Sequence, residues 1–210
     1  MRVRWIGLTL ALALLAAAAG YLVGDARRGD PTTFAAAEPV TAADPSWPAE
    51  PVPVVPDSTF PPLGTGLRTH SETVGNPPFS LRLPIPDGWV RTNPAAGEWR
   101  WYPNARTTVN VFFLRVRLVG NQHKPTATAL SERLSALRGA AEVADLVVES
   151  TTPGGFTATY VADGHLRVAM EDFTATAGDT AYASIALVGR EIDRTGMVDL
   201  FPRITAGATP

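Results

Sequence analysis

The 210-residue chain carries 18 lysines and arginines against 20 acidic residues, a net charge of −2, and no cysteine. Without cysteine there are no disulfides, thiolate metal sites, cysteine nucleophiles or lipidated cysteine. From Pro77 to Thr205 the charges balance at thirteen of each sign, which argues against a nucleic-acid partner, because that recognition leans on phosphate neutralisation.

Met1 to Arg4 is basic, and Trp5 to Val23 follows without a charge. At about 1.5 Å per residue this run makes a helix of about 28 Å, enough to cross a bilayer core. One reading is a cleaved signal peptide, with Ile6–Leu15 as its apolar region and Ala17–Ala19 as the cleavage site. The preferred reading is a retained signal anchor over residues 1–24. Tyr21, Leu22 and Val23 carry the apolar run past the alanines, and Asp25, Arg27 and Arg28 mark the interface. The basic residues on the two sides nearly balance, so they orient the anchor weakly. A short basic terminus before a long chain places the long part outside the plasma membrane.

Residues 25–76 read as a disordered, proline-rich stalk. Prolines recur from Pro31 to Pro62 among Ala, Thr, Val and Asp, with few large apolar residues to form a core. Extended at about 3.1 Å per residue, such a stalk reaches about 160 Å at most. Pro48 to Pro56 also suits a proline-motif ligand, and Trp47 and Phe60 are the aromatics that a pure spacer does not explain.

A globular domain is expected over residues 77–205, with a disordered tail at 206–210. Phe79, Leu81 and Leu83 alternate with polar residues, as in a strand. Pro84 to Gly88 forms a turn before Trp89, and Trp99–Tyr102 reads as a second strand. Thr107–Val119 is the longest strand candidate, apolar on both faces in its middle and therefore expected to be central. Thr126 is the expected cap of a helix whose apolar stripe is Ala127, Leu130, Leu134, Leu137 and Ala141, ending near Gly139. Strands at Leu146–Ser150, Phe156–Val161, Leu166–Phe173 and Ala181–Val188 are separated by Pro153-Gly154-Gly155, Asp163-Gly164 and Gly178-Asp179, the pattern of an antiparallel meander. A last helix is expected from Glu191 to Phe201, stopped by Pro202. The order β-β-β-α-β-β-β-β-α predicts an α+β fold, an antiparallel sheet with helices packed on it, preceded by one transmembrane helix.

Several of these residues resemble a family. Phe79-Ser80-Leu81-Arg82-Leu83-Pro84 with Asp87-Gly88-Trp89 is similar to the opening of the LpqN-type envelope lipoproteins of mycobacteria and their relatives. Val109-Asn110-Val111, the Val119-Gly120-Asn121 exit, Gly154-Gly155-Phe156 and the Tyr182 strand extend the resemblance over Pro77 to Ile204. It implies a PsbP-like α/β/α sandwich on the outer side of the plasma membrane, and it brings no catalytic residues with it. Members are anchored through a lipidated cysteine, which this chain lacks; a transmembrane anchor does the same task.

No motif with a catalytic or phosphate-cradling mechanism is present. His70, His123 and His165 are scattered, so neither a metal site nor a cofactor is expected. Glu171 and Asp172 are adjacent and point to opposite faces of a strand. Arg167 and Glu171 share a face and read as a surface ion pair. A simple hairpin after Tyr102 sets Trp101 opposite Thr108 and Trp99 opposite Asn110, on the face of Phe112 and Leu114 under a helix. Trp89, Trp99 and Trp101 then read as core, with a carbohydrate or lipid platform as the alternative. The one local concentration of positive charge is Arg115 and Arg117 on one strand face, followed by His123 and Lys124, the single lysine of the chain. These are the candidate binding residues, for an anionic lipid or an acidic protein surface. The functional expectation is a non-enzymatic, membrane-anchored accessory or binding protein of the cell envelope. The alternatives are a lipid or glycan carrier and an envelope enzyme of unrecognised type.

Overall fold

A computed structural model describes residues 52–103, 111–176 and 178–210. The expected anchor over residues 1–24 lies outside the described residues. Among the described residues no helix is long and apolar enough to cross a membrane.

The elements in chain order are β1 (Thr69–Asn76), β2 (Phe79–Pro86), β3 (Val90–Ala95), β4 (Glu98–Tyr102), β5 (Phe113–Leu118), α1 (Thr126–Gly139), β6 (Val143–Thr151), β7 (Gly155–Ala162), β8 (His165–Thr176), β9 (Thr180–Gly189) and α2 (Arg194–Ala206). β1 and β2 form a two-stranded sheet, and the other strands form a seven-stranded sheet in the order β3-β4-β5-β9-β8-β7-β6. Every pairing is antiparallel. The fold is therefore α+β, mostly antiparallel sheet with two helices.

The meander follows from its turns. Asp163 and Gly164 both take positive φ, and so do Gly178 and Asp179. Two such residues match the right-handed twist of the strands that they join. The central strand is β9, not the Thr107–Val119 run: from Ala181 to Gly189 every β9 residue is buried, whereas Arg117 of β5 is exposed. The small apolar run Ala181-Tyr182-Ala183-Ser184-Ile185-Ala186-Leu187 suits a strand covered on both faces.

Alternation along β8 separates two cores. Val168 and Met170 join Leu81, Leu83, Ile85, Trp101, Leu114, Ile185, Leu187, Met197, Leu200 and Ile204. Phe173 joins Ala129, Leu130, Leu137, Phe156 and Ala158. The β1–β2 hairpin and α2 thus cover one face of the large sheet, and α1 covers the other. Trp101 pairs with Leu114 and Trp99 with Val116, not with Thr108 and Asn110, which lie outside the described residues. The connection after Tyr102 is longer than a two-residue hairpin; the shift is even, so both rings keep the face expected of them.

Five further expectations are corrected. Thr69–Asn76, placed in the stalk, is strand β1, because its residues find β2 as a partner. Residues 52–63, also placed there, lie along the domain as a strap. Val55 N donates to the carbonyl of Gly164 (2.7 Å). The buried Arg190 guanidinium donates to the carbonyls of Ser58, Phe60 and Pro61. Leu63 N donates to Asp193 (2.9 Å). The tail at 206–210 is tied down by Thr209, whose N–H and C=O both bond Arg82 at 2.8 Å. Finally, α2 runs through Pro202. Proline has no N–H to donate to the carbonyl of Val198 one turn back, a residue that is 56 % exposed. Thr126 is also not a cap; it is the first residue of α1, and its hydroxyl bonds Asp179 in the β8–β9 turn.

Candidate functional site

The site begins with register. Arg115 of β5 and Glu171 of β8 both pair with Ala186 of β9, one from each side. Alanine leaves the space above it open, so the guanidinium reaches across and Arg115 Nη2 donates to Glu171 Oε2 at 3.0 Å. Ser184, two residues away on the same face of β9, donates its hydroxyl to Glu171 Oε1 at 2.5 Å. Arg133 comes down from α1, and its Nε lies 3.1 Å from Oε1 and 2.9 Å from Oε2. The Glu171 side chain is 1 % exposed. A carboxylate buried so deeply needs paired charges and hydrogen bonds, and it has both.

Burial pushes the Arg115 guanidinium below the ordinary arginine value, while Glu171 pulls it back up. Arginine stays charged against such opposition. Its Nε is buried without a hydrogen-bond partner. Nearby on β7, burial raises the Tyr160 phenol, and the charges of Arg115 and Arg133 oppose that rise.

Beside this cluster a cleft of about 180 Å³ opens between α1 and the sheet, lined by Arg115, Arg117, Arg133, Glu132, Glu171 and Ser184 together with Val119, Ala129, Ala136 and Phe173. Its lining holds three arginines and two carboxylates, an excess of one positive charge.

Of the four residues singled out by sequence, Arg115 and Arg117 share a face and line this cleft. Lys124 does not join them: its Nζ is taken by Glu132 at 2.6 Å. His123 is exposed and left-handed at φ 50°, just after a 3-10 turn at Gly120–Gln122. The positive charges that line the cleft are those of Arg115, Arg117 and Arg133, and Lys124 is paired with Glu132. Glu171 and Ser184 were not singled out, and the expected Arg167–Glu171 pair does not form. Arg167 bonds Asp57 of the strap at 2.7 Å instead. One signal was available for Arg133: it lies three residues after Leu130 and four before Leu137, a charge set on the apolar stripe of an amphipathic helix.

A second polar cluster lies on β1. Glu72 accepts from Arg91, from Trp101 Nε1 and from His70, whose other ring nitrogen lies 3.0 Å from Asp87. Among the described residues no group of three His, Asp or Glu side chains converges as metal ligands would. Among the described residues no Trp lines the cleft; Trp101 is fully buried, and Trp89 and Trp99 pack at the edge of its core.

Fold and site together define an α+β domain with an arginine-lined cleft under one helix. No protein-family model matches the chain, and no curated protein matches it.

Proposed function

We propose that the domain is a non-enzymatic binding module for anionic groups, displayed outside the plasma membrane by the N-terminal anchor. The observation that carries this is the charge in the cleft. Glu171 is fixed between two guanidiniums and its oxygens accept from Arg115, Arg133 and Ser184. Its negative charge is thereby spent inside the protein, and the third arginine, Arg117, stays exposed at the mouth. Among the described residues Arg117 makes no ion pair. Planar guanidiniums favour carboxylate and phosphate oxygens, which they meet with paired hydrogen bonds.

The resemblance to LpqN-type envelope proteins, and to their PsbP-like sandwich, agrees with this reading: one helix covers each face of the large sheet.

The test uses the full chain in zwitterionic nanodiscs. Acetate and inorganic phosphate are titrated at low and moderate salt while the amide signals of Arg117 and Ser184 are followed. Saturable shifts that weaken with salt and are lost in Arg117→Gln support the reading. No saturable shift with either anion removes it.

A further inference from the structure

The charge of the cleft says that an anion is welcome; its walls say which kind. Arg115 and Arg133 hold Glu171, and Arg117 lines the same cleft. The rest of the lining is Val119, Ala129, Ala136 and Phe173, with Gln122 and Glu132 as its polar members. Val119 and Phe173 are buried side chains of the core beneath α1, so this wall is a continuation of that core into the open cleft. An inorganic anion would satisfy the arginines and leave the apolar wall wet. An organic anion with a short hydrocarbon body would cover both.

Charge narrows the class further. The lining has one positive charge in excess. A carboxylate carries one negative charge. A phosphate monoester carries roughly 1.5 to 2 at neutral pH, and it would have to sit within reach of Glu171, whereas Glu132 is paired with Lys124 at 2.6 Å. Glu171 in this view is a built-in counter-ion that sets the charge which the cleft accepts.

Size sets the length. A volume of about 180 Å³ equals about six water-sized groups at roughly 30 Å³ each. That is a carboxylate and about four carbons before the cleft is filled. The geometry points to a short aliphatic monocarboxylate as the ligand class, its carboxylate on Arg117 beside the Arg115–Glu171–Arg133 cluster and its chain against Val119, Ala129 and Phe173. This rests on the anion-binding reading above and adds the apolar half of the ligand.

The experiment is a chain-length series on the full chain in the same nanodiscs: acetate, butanoate, hexanoate and octanoate, with inorganic phosphate beside them. Each buried methylene is worth about 0.8 kcal/mol, about fourfold in affinity. Affinity is expected to climb by about that factor per methylene from acetate and to level off near hexanoate. Arg117→Gln should weaken the whole series. Ala136→Leu, at an exposed position on the cleft wall, should flatten the series while acetate still binds. Arg117→Gln guards against partition of the longer acids into lipid, which does not depend on that residue. A flat series in the parent, or phosphate bound more tightly than hexanoate, overturns the inference and leaves the anion-binding reading standing. If no anion binds saturably, both fall. A climb that Ala136→Leu and Arg117→Gln leave untouched also overturns the inference, because the acids then bind elsewhere.

Discussion

Single side chains carry much of this domain's stability. Trp101 is wholly buried and its Nε1 donates to Glu72 at 3.2 Å. Trp101→Ala removes a large apolar body and leaves Glu72 without that donor, so a loss of about 3–5 kcal/mol is expected in chemical denaturation. Trp89 is half-buried against Phe112 with ring centroids 5.8 Å apart, and Trp89→Ala should cost clearly less. The reverse order would show that Trp101 sits in a looser site than its burial states. In the sequence Trp99 and Trp101 read as core from the strand face that they share with Phe112 and Leu114. Alternation reports a face, not a depth. Depth came from the β1–β2 hairpin, which lies over Trp101 and whose first strand, β1, was read as stalk.

His70 adds a residue-scale pH effect. Its hydrogen bond to Asp87, and after it the one to Glu72, raise the imidazole above its ordinary value of 6.5. A raised folded value means that the protonated form is favoured in the native state. The stabilisation is therefore fully present below the unfolded pKa and is lost as pH rises through the folded one. NMR titration of the ring should show the raised midpoint. Asp87→Asn should lower it more than Glu72→Gln does, since the Asp87 bond is the larger cause; the opposite ranking would assign the effect to Glu72.

Among the elements, the strap was the least legible. Prolines at such density lack the apolar content for a core of their own. Residues 52–63 do not form one; they borrow the edge of another. Phe60 packs edge-on against Phe112 at 5.8 Å, which is why that aromatic did not fit a spacer. The strap's position depends on Gly196 in α2. A Cβ there would lie 2.2 Å from the carbonyl oxygen of Leu63, so the strap could not keep its place. In a free helix Gly→Ala stabilises by about 1 kcal/mol. Here Gly196→Ala should instead lower stability and raise hydrogen exchange at the amides of Val55 and Leu63, which bond Gly164 and Asp193. Unchanged protection of both amides would mean that the strap adapts at little cost. The meander was legible for a converse reason: its turns carry Asp and Gly where positive φ is needed, a purely local requirement. The cleft was not, because Arg115, Arg133, Glu171 and Ser184 meet only through the order of β5, β9 and β8, and no local pattern sets that order.

At the scale of the whole chain, the remaining question is whether the domain is held at a membrane. The expected arrangement is an uncleaved anchor over residues 1–24 with the domain outside. The mature chain should then keep Met1 or Arg2 and should resist carbonate extraction from membranes. Added protease should release a folded fragment from intact spheroplasts, and the structure sets where that fragment begins. Segments whose backbone is hydrogen-bonded and packed resist cleavage. Val55 is already bonded to Gly164, and Arg190 clasps three carbonyls between Ser58 and Pro61. The protected fragment should therefore start N-terminal to Val55, some twenty residues before Pro77, where proline content alone had placed the boundary. Mass spectrometry of the released fragment reads this directly. A start near Pro77 would mean that the strap opens under protease, and a mature N-terminus at Gly20 or Tyr21 would replace the anchor by a cleaved signal. Protection of the domain until the cells are broken would reverse the orientation, and with it the environment in which the cleft meets its anion.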